Sequence, residues 1–439
     1  MDSHTANAKS IVLMRLFVML AILLNLSGQR LAAQAATGLA AKSSASQSGL
    51  PDCSQPLPSL PYPKGPHGLF AIFFPGNQFT EEADTYLIHN PVVCGGLFDI
   101  VWAQVDKGPG ASPRYDWTPI ERQIEPWMRA GKLVALDIWA VSYGGLEATP
   151  SYVLSQVDSV RCVGMNPNAA GPGGRGRFPG GPGRFPGARP PFFPRPGFGR
   201  PGGQFPGGAR GGRESPAIPV YWESGFEKNY REFIAAVIEK YGSNPSVAYI
   251  RPGLGAGGES TPRCGQQMRQ YGYSIDKWRQ YVFDMIDFEK SLHSRATLIV
   301  GITNPEGSRA IEFPHLEAAR AVEDGLGIGS EGLQESDIEN NSAGRPCGVV
   351  DRCALFETYK GRAPLELQTL SRSNPDGNGR VGSLVDILPL GLKIHAQIFE
   401  IYTQDFLAAY DPAFPDYDRH HAAYQQALEQ TAAVVGGKP

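Results

Sequence analysis

The sequence predicts a (β/α)₈, or TIM, barrel as the main domain. Three observations predict it. Eight short apolar runs, rich in β-branched and aromatic residues, alternate with longer amphipathic stretches over residues 68–439. The first run leads into Pro75-Gly76-Asn77-Gln78-Phe79, where a doubly wound open sheet would want a Gly-rich phosphate turn. The composition is 41% hydrophobic with a net charge of −3, which suits a chain that buries a large core. That charge gives no global argument for nucleic-acid or membrane binding, so no nucleic-acid partner is expected.

The N-terminus reads as a signal peptide over residues 1–35. Lys9 and Arg15 precede the apolar run Leu16–Leu26, which is too short to span a bilayer comfortably. Ala33-Gln34-Ala35 fits a cleavage pattern, giving a mature start near Ala36 and a secreted or periplasmic location, with no integral membrane segment after cleavage. Residues 36–67 read as a linker rich in Ser, Ala, Gly and Pro. Six cysteines (Cys53, Cys94, Cys162, Cys264, Cys347 and Cys353) suit disulfides in an exported chain, and Cys347 and Cys353 are close enough to close a small loop. The oligomeric state is not legible.

The strand candidates are Leu69–Phe74, Phe98–Gln104, Leu133–Trp139, Val247–Gly253, Leu298–Ile302, Gly325–Gly329, Pro364–Thr369 and Ile398–Tyr402. Helix candidates between or after them are Ile120–Ala130, Glu227–Tyr241, Ile275–Ser291, His315–Asp324, Leu384–Gln397 and Tyr417–Val434. Between the third strand and the Glu227–Tyr241 helix lies a tract, residues 171–213, built of Gly, Pro, Arg and Phe with repeats of Arg-Phe-Pro-Gly. It holds eight arginines but no Asp, Glu, Lys or β-branched residue. Such a composition buries too little apolar surface to offset its ordering entropy, so a disordered loop insertion is expected. A barrel tolerates it because loop-closure cost grows slowly with length.

In a barrel the working face lies at the C-terminal ends of the strands. The fourth strand runs through Arg251 into Gly253-Leu254-Gly255-Ala256-Gly257-Gly258-Glu259-Ser260, so Glu259 follows a loop whose glycines permit close backbone approach to a ligand. On the seventh strand, alternation puts Glu366 and Gln368 on the inward face, opposite Leu365 and Leu367. An inward carboxylate is costly unless paired or functional, and Arg251 can also point inward as its ion-pair partner. Glu400 and Tyr402 repeat the pattern on the eighth strand, and Glu331 closes the sixth. Trp102 and Trp139, at strand exits, could stack on the apolar faces of sugar rings, and Trp222 lies in a connecting loop.

Two carboxylates on opposite walls of a barrel mouth are the minimum apparatus for cleaving a glycosidic bond. No G-x-S-x-G elbow, HExxH motif or zinc-spaced Cys/His cluster appears, so neither metal nor cofactor is expected.

Ile218-Pro219-Val220-Tyr221-Trp222-Glu223, Phe226, Tyr230-Arg231-Glu232-Phe233-Ile234, Tyr241-Gly242, Asn244-Pro245 and Gly258-Glu259 together resemble the helix-to-fourth-strand region of clan A glycoside hydrolases, β-galactosidase-like barrels above all. The resemblance implies a retaining (β/α)₈ glycosidase acting on an oligosaccharide or polysaccharide, with Glu259 as acid/base and Glu366 as nucleophile. Trp102, Trp139, Arg251, Glu331, Gln368, Glu400 and Tyr402 would then serve as substrate-binding residues. One position departs: the clan carries Asn before its acid/base Glu, and this chain carries Gly258. The Gly-Gly-Glu-Ser turn is also similar to the acid loop of the inverting β-amylases. The alternative is a barrel that only binds glycan, as a carbohydrate-binding or cell-surface protein.

Overall fold

The computed structural model describes residues 65–74, 86–143, 145–162, 215–305, 312–334, 351–373 and 381–436. The expected leader, most of the linker and the Gly/Pro/Arg/Phe tract lie outside them.

Eight parallel strands close into a barrel: β1 (Gly68–Phe73), β2 (Val93–Val101), β3 (Leu133–Trp139), β4 (Val247–Pro252), β5 (Thr297–Gly301), β6 (Gly327–Leu333), β7 (Leu365–Thr369) and β8 (Ile398–Tyr402). Each pairs with its sequence neighbours, and β8 returns to β1 through the register Gly68↔Ile398 to Ile72↔Tyr402. The main surrounding helices are α1 (Thr118–Arg129), α2 (Ser224–Tyr241), α3 (Ile275–Ser291), α4 (Glu312–Glu323), α5 (Arg352–Tyr359), α6 (Leu384–Lys393), α7 (Thr403–Tyr410) and α8 (Tyr417–Val435).

Alternation along each strand sorts the side chains. Phe70, Ile72, Leu97, Ala135, Tyr249, Ile299 and Ile398 point inward and fill the floor of the barrel as one apolar cluster. The opposite set, including Phe73, Phe98, Leu136, Ile250, Val300, Leu367 and Phe399, packs under the helices. On α1, Ile120, Ile124 and Trp127 recur at helical spacing on the buried face, and Trp127 meets Phe73 edge-on at 5.3 Å. Burying one such side chain stabilises the fold by about 1.5–3 kcal/mol. The Ser274 hydroxyl caps α3 by accepting the Lys277 N–H at 3.1 Å.

Two strands differ from expectation at their ends. β2 starts at Val93, ahead of the predicted Phe98, because Gly95 and Gly96 hide the strand signal. At both positions a Cβ would collide with neighbours, with Leu133 O at 2.3 Å in the case of Gly95. The strand also stops early: Trp102–Val105 forms a helical turn instead. Second, β6 continues past Gly329 to Leu333, so Glu331 lies within the strand.

The excursion that carries the tract leaves and rejoins the barrel through a neck. Ser159–Val160 pairs antiparallel with Ile218–Pro219, and Cys162 is disulfide-bonded to Cys264 in the loop after β4. Cys94 and Cys353 are each engaged in a disulfide as well. Cys347, the suggested partner of Cys353, lies outside the described residues. Among the described residues no helix is long and apolar enough to cross a membrane.

Candidate functional site

Above the apolar floor the inward positions turn polar. Asp99 on β2, Asp137 on β3, Arg251 on β4, Glu331 on β6, Glu366 and Gln368 on β7, and Glu400 on β8 all belong to this layer. Its centre is Arg251, with a side chain only 1% exposed.

Each of the five guanidinium N–H groups has an acceptor. Nε donates to Asp137 Oδ1 at 3.4 Å and Nη2 to Asp137 Oδ2 at 3.2 Å. The second Nη2 bond goes to Gln368 Oε1 at 3.2 Å. Nη1 donates to Glu366 Oε2 at 3.2 Å and Glu400 Oε2 at 3.1 Å. Glu331 Oε1 lies 3.3 Å from Nη2 as an ion pair, after those bonds have been made. Glu400 also accepts from the Tyr249 hydroxyl at 2.8 Å, and Asp137 from Trp139 Nε1 at 2.8 Å.

One cation among so many acids cannot keep them all charged. Burial pushes Asp99, Glu331 and Glu366 well above the ordinary carboxylate range, and Glu400 upward as well. Neighbouring carboxylates add to this, while Arg251 opposes it.

Glu259 reaches the mouth by a different route. The Gly-rich loop after β4 carries it sideways over the end of β5, where Glu259 pairs with Gly301 and the Ser260 N–H donates to Gly301 O at 3.0 Å. Gly301 makes this crossing possible, since a Cβ there would lie 2.4 Å from Gly258 O and 3.2 Å from Glu259 Cα. Gly301 pairs in turn with Gly329 of β6, and Glu331 is the next inward residue above Gly329. The loop therefore delivers Glu259 towards Glu331. Burial raises Glu259 to about 7, although a hydrogen bond from the Tyr143 hydroxyl and the charges of Arg251 and Arg352 pull the other way. Glu331 is pushed up by burial first and by the Glu259 charge second. Arg352 anchors this wall: it donates to Ser330 Oγ at 3.1 Å and Glu331 O at 3.0 Å.

Gly258 now has a physical reason. A Cβ at that position would stand 2.3 Å from Asp137 Oδ1 and 2.5 Å from Arg251 Nε. The residue before Glu259 lies directly on the buried Asp137–Arg251 pair, so the Asn of the clan has no room.

The nominated residues divide into three groups. Arg251, Glu366, Gln368 and Glu400 meet in the buried layer, and the Glu366 side chain has 0% exposure. Glu259 and Glu331 are partly exposed, with the Glu331 side chain at 19%. Trp139 and Tyr402 form an aromatic rim on either side of Phe74, with ring centroids 5.9 and 5.4 Å from it. Trp102 is not brought to the mouth. It points outward from the barrel, fully buried, and stacks on Phe233 at 5.7 Å. Trp222 is half-buried and donates to Tyr271 O at 3.1 Å.

Sequence reading missed Asp99, Asp137, Tyr143 and Arg352. Alternation along β2 and β3 would have found the two aspartates, since Asp137 shares a face with Ala135 and Trp139. No local signal marks Tyr143, which sits in the loop after β3.

No family model matches the chain, and no curated protein matches it in sequence. Solved structures of similar fold include the catalytic domain of a β-amylase from Paenibacillus polymyxa, at 12% identity and a TM-score of 0.40, covering 84% of this chain and 90% of that one. An endo-β-1,4-mannanase from Thermotoga petrophila aligns at 10% identity and a TM-score of 0.47, over 87% and 79% of the two chains. A β-galactosidase from the psychrophilic Marinomonas ef1 aligns at 10% identity and a TM-score of 0.42, over 84% of this chain and 59% of that one. The fold assignment rests on the closed eight-stranded topology rather than on these likenesses.

Proposed function

We propose that this protein is an exported glycoside hydrolase that cleaves O-glycosidic bonds of an oligosaccharide or polysaccharide at the barrel mouth, with Glu259 as general acid. The observation that carries the reading is the setting of Glu259. It is partly exposed at the C-terminal face, held by its own backbone against β5, and raised to about 7 by burial. A carboxyl that keeps its proton near neutrality can hand it to a departing glycosidic oxygen. The rim of Trp139, Phe74 and Tyr402 offers apolar faces against which a sugar ring can lie.

A second acid has to act on the anomeric carbon or on water. In a retaining enzyme it bonds to the anomeric carbon while Glu259 protonates the leaving oxygen. Water then resolves the intermediate with Glu259 as base. Export is proposed from the leader read in the sequence at residues 1–35.

One observation favours a second reading, a barrel that binds glycan without cleaving it: Glu366, the nucleophile implied by the resemblance, is tied to Arg251 and sealed from solvent. A panel of aryl glycosides offered to the mature chain separates the two readings. The hydrolase reading expects turnover of one glycoside. It also expects Glu259→Gln to slow poor leaving groups by about 10²–10⁴-fold and activated ones far less. Glycan binding with no turnover on any substrate would establish the binding protein instead.

A further inference from the structure

We infer that Glu331 on β6, rather than Glu366 on β7, is the carboxylate that attacks the anomeric carbon. The inference rests on the glycoside hydrolase reading and assigns the partner of Glu259 within it.

Reach decides the assignment, since Glu366 Oε1 also lacks a hydrogen-bond partner among the described residues but is sealed inside the barrel. Glu366 and Glu331 lie at similar distances from Arg251, 3.2 and 3.3 Å, but differ in exposure and in hydrogen bonding to the guanidinium. Glu366 Oε2 accepts one of the five guanidinium hydrogen bonds, and its side chain is completely enclosed. It packs over Gly329, where a Cβ would stand 2.0 Å from Oε2. For a sugar carbon to reach that oxygen, the Arg251 layer would have to open. Glu331 takes none of those hydrogen bonds. It is held by charge alone and remains partly exposed on the wall towards which the Gly301 crossing carries Glu259. Asp99 also lacks hydrogen-bond partners, but it sits on β2, in register with Asp137 and away from the Glu259 loop.

Arg251 stands 3.3 Å from Glu331, and its charge opposes the rise that burial gives both Glu331 and Glu259, so the two carboxyls titrate as a pair. In the first step the Glu331 oxygen bonds to the anomeric carbon, the bond to the leaving oxygen breaks, and the Glu259 proton moves to that oxygen. In the second, water adds to the same carbon, the bond to Glu331 breaks, and Glu259 takes up a proton. The guanidinium stays in the layer beneath as a fixed positive charge, and Glu366 supports it.

The test uses the wild-type mature chain and a 2-deoxy-2-fluoro glycoside of whichever sugar the panel shows to be cleaved, activated by a dinitrophenolate leaving group. The fluorine slows release of the covalent intermediate, and peptide mass mapping locates it. The expected result is an adduct on Glu331. Glu331→Gln should lose about 10⁴-fold in turnover on both good and poor leaving groups. Azide added to Glu331→Gly should restore cleavage and yield a glycosyl azide of inverted configuration. An adduct on Glu366 would overturn the inference. So would inverted product from the wild type with no adduct, though the hydrolase reading would then stand. Absence of turnover by the wild type would remove that reading itself. Mapping the wild type keeps the test valid even if the Glu331 variants fail to fold.

Discussion

The space that a side chain would fill at Gly301 is taken by the backbone leading into Glu259, with a Cβ there 2.4 Å from Gly258 O and 3.2 Å from Glu259 Cα. Gly301→Ala should therefore displace the acid without emptying the core. A shift of about 1 Å in a catalytic group can cost ~10²-fold in rate. Turnover of the cleaved aryl glycoside should fall on that scale, and the overpacking should cost about 1–3 kcal/mol of stability. Unchanged turnover would show that the loop position is not critical.

Gly258→Asn, which restores the residue of the clan, should weaken the protein rather than improve catalysis. Its Cβ would fall on Asp137 and on the Nε of Arg251, groups with no free volume around them. Disrupting a buried charge pair costs about 3–5 kcal/mol. Chemical denaturation should show a loss of that order, and an Asn variant as stable as wild type would contradict the geometry.

The pH profile should carry the Glu259 signature. The acid has to be protonated, so activity falls as pH rises through about 7. Tyr143 donates a hydrogen bond that favours the ionised form, holding the value lower than burial alone would. Tyr143→Phe removes that donor, and the alkaline limb of kcat should move to higher pH. A move to lower pH would mean that another group controls the limb.

Glu289 on α3 is buried, and neither carboxyl oxygen has a hydrogen-bond partner among the described residues. Burial, and then the charge of Glu317, push it well above the ordinary carboxylate value. A raised folded-state value means that the associated stability is present below the unfolded value of about 4.3 and is lost as pH rises. Glu289→Gln should therefore raise the free energy of unfolding at pH 8, by about 1 kcal/mol, and have little effect near pH 4. An equal effect at both pH values would rule out titration as the cause.

All eight strands were legible because parallel barrel strands are short apolar runs between amphipathic helices. The inward parity of Glu366, Gln368, Glu400 and Arg251 was legible for the same reason. Depth along the barrel axis was not. Alternation says which way Glu366 points, but its height depends on registers with β6 and β8, where it sits opposite Gly329 and Ile398, whereas Gln368 sits opposite Glu331 and Glu400. Those registers come from the stagger of the closed sheet, which no single strand encodes. Trp102 was misplaced for a related reason: it shares the outward parity of Phe98 and Ile100 and follows them under the helices. Tyr143 was invisible because its role depends on two loops meeting.

The disulfide at the neck ties residue 162 to residue 264, closing a covalent ring of chain that contains residues 171–213. The stabilisation such a crosslink gives grows with ring size through the freedom it removes from the unfolded chain, by about 0.6 kcal/mol for each doubling. Every repeat added to that tract enlarges the ring and raises what the folded barrel loses when the bond is reduced. The length of that tract thus sets how strongly the loop bearing Glu259 depends on an oxidising compartment.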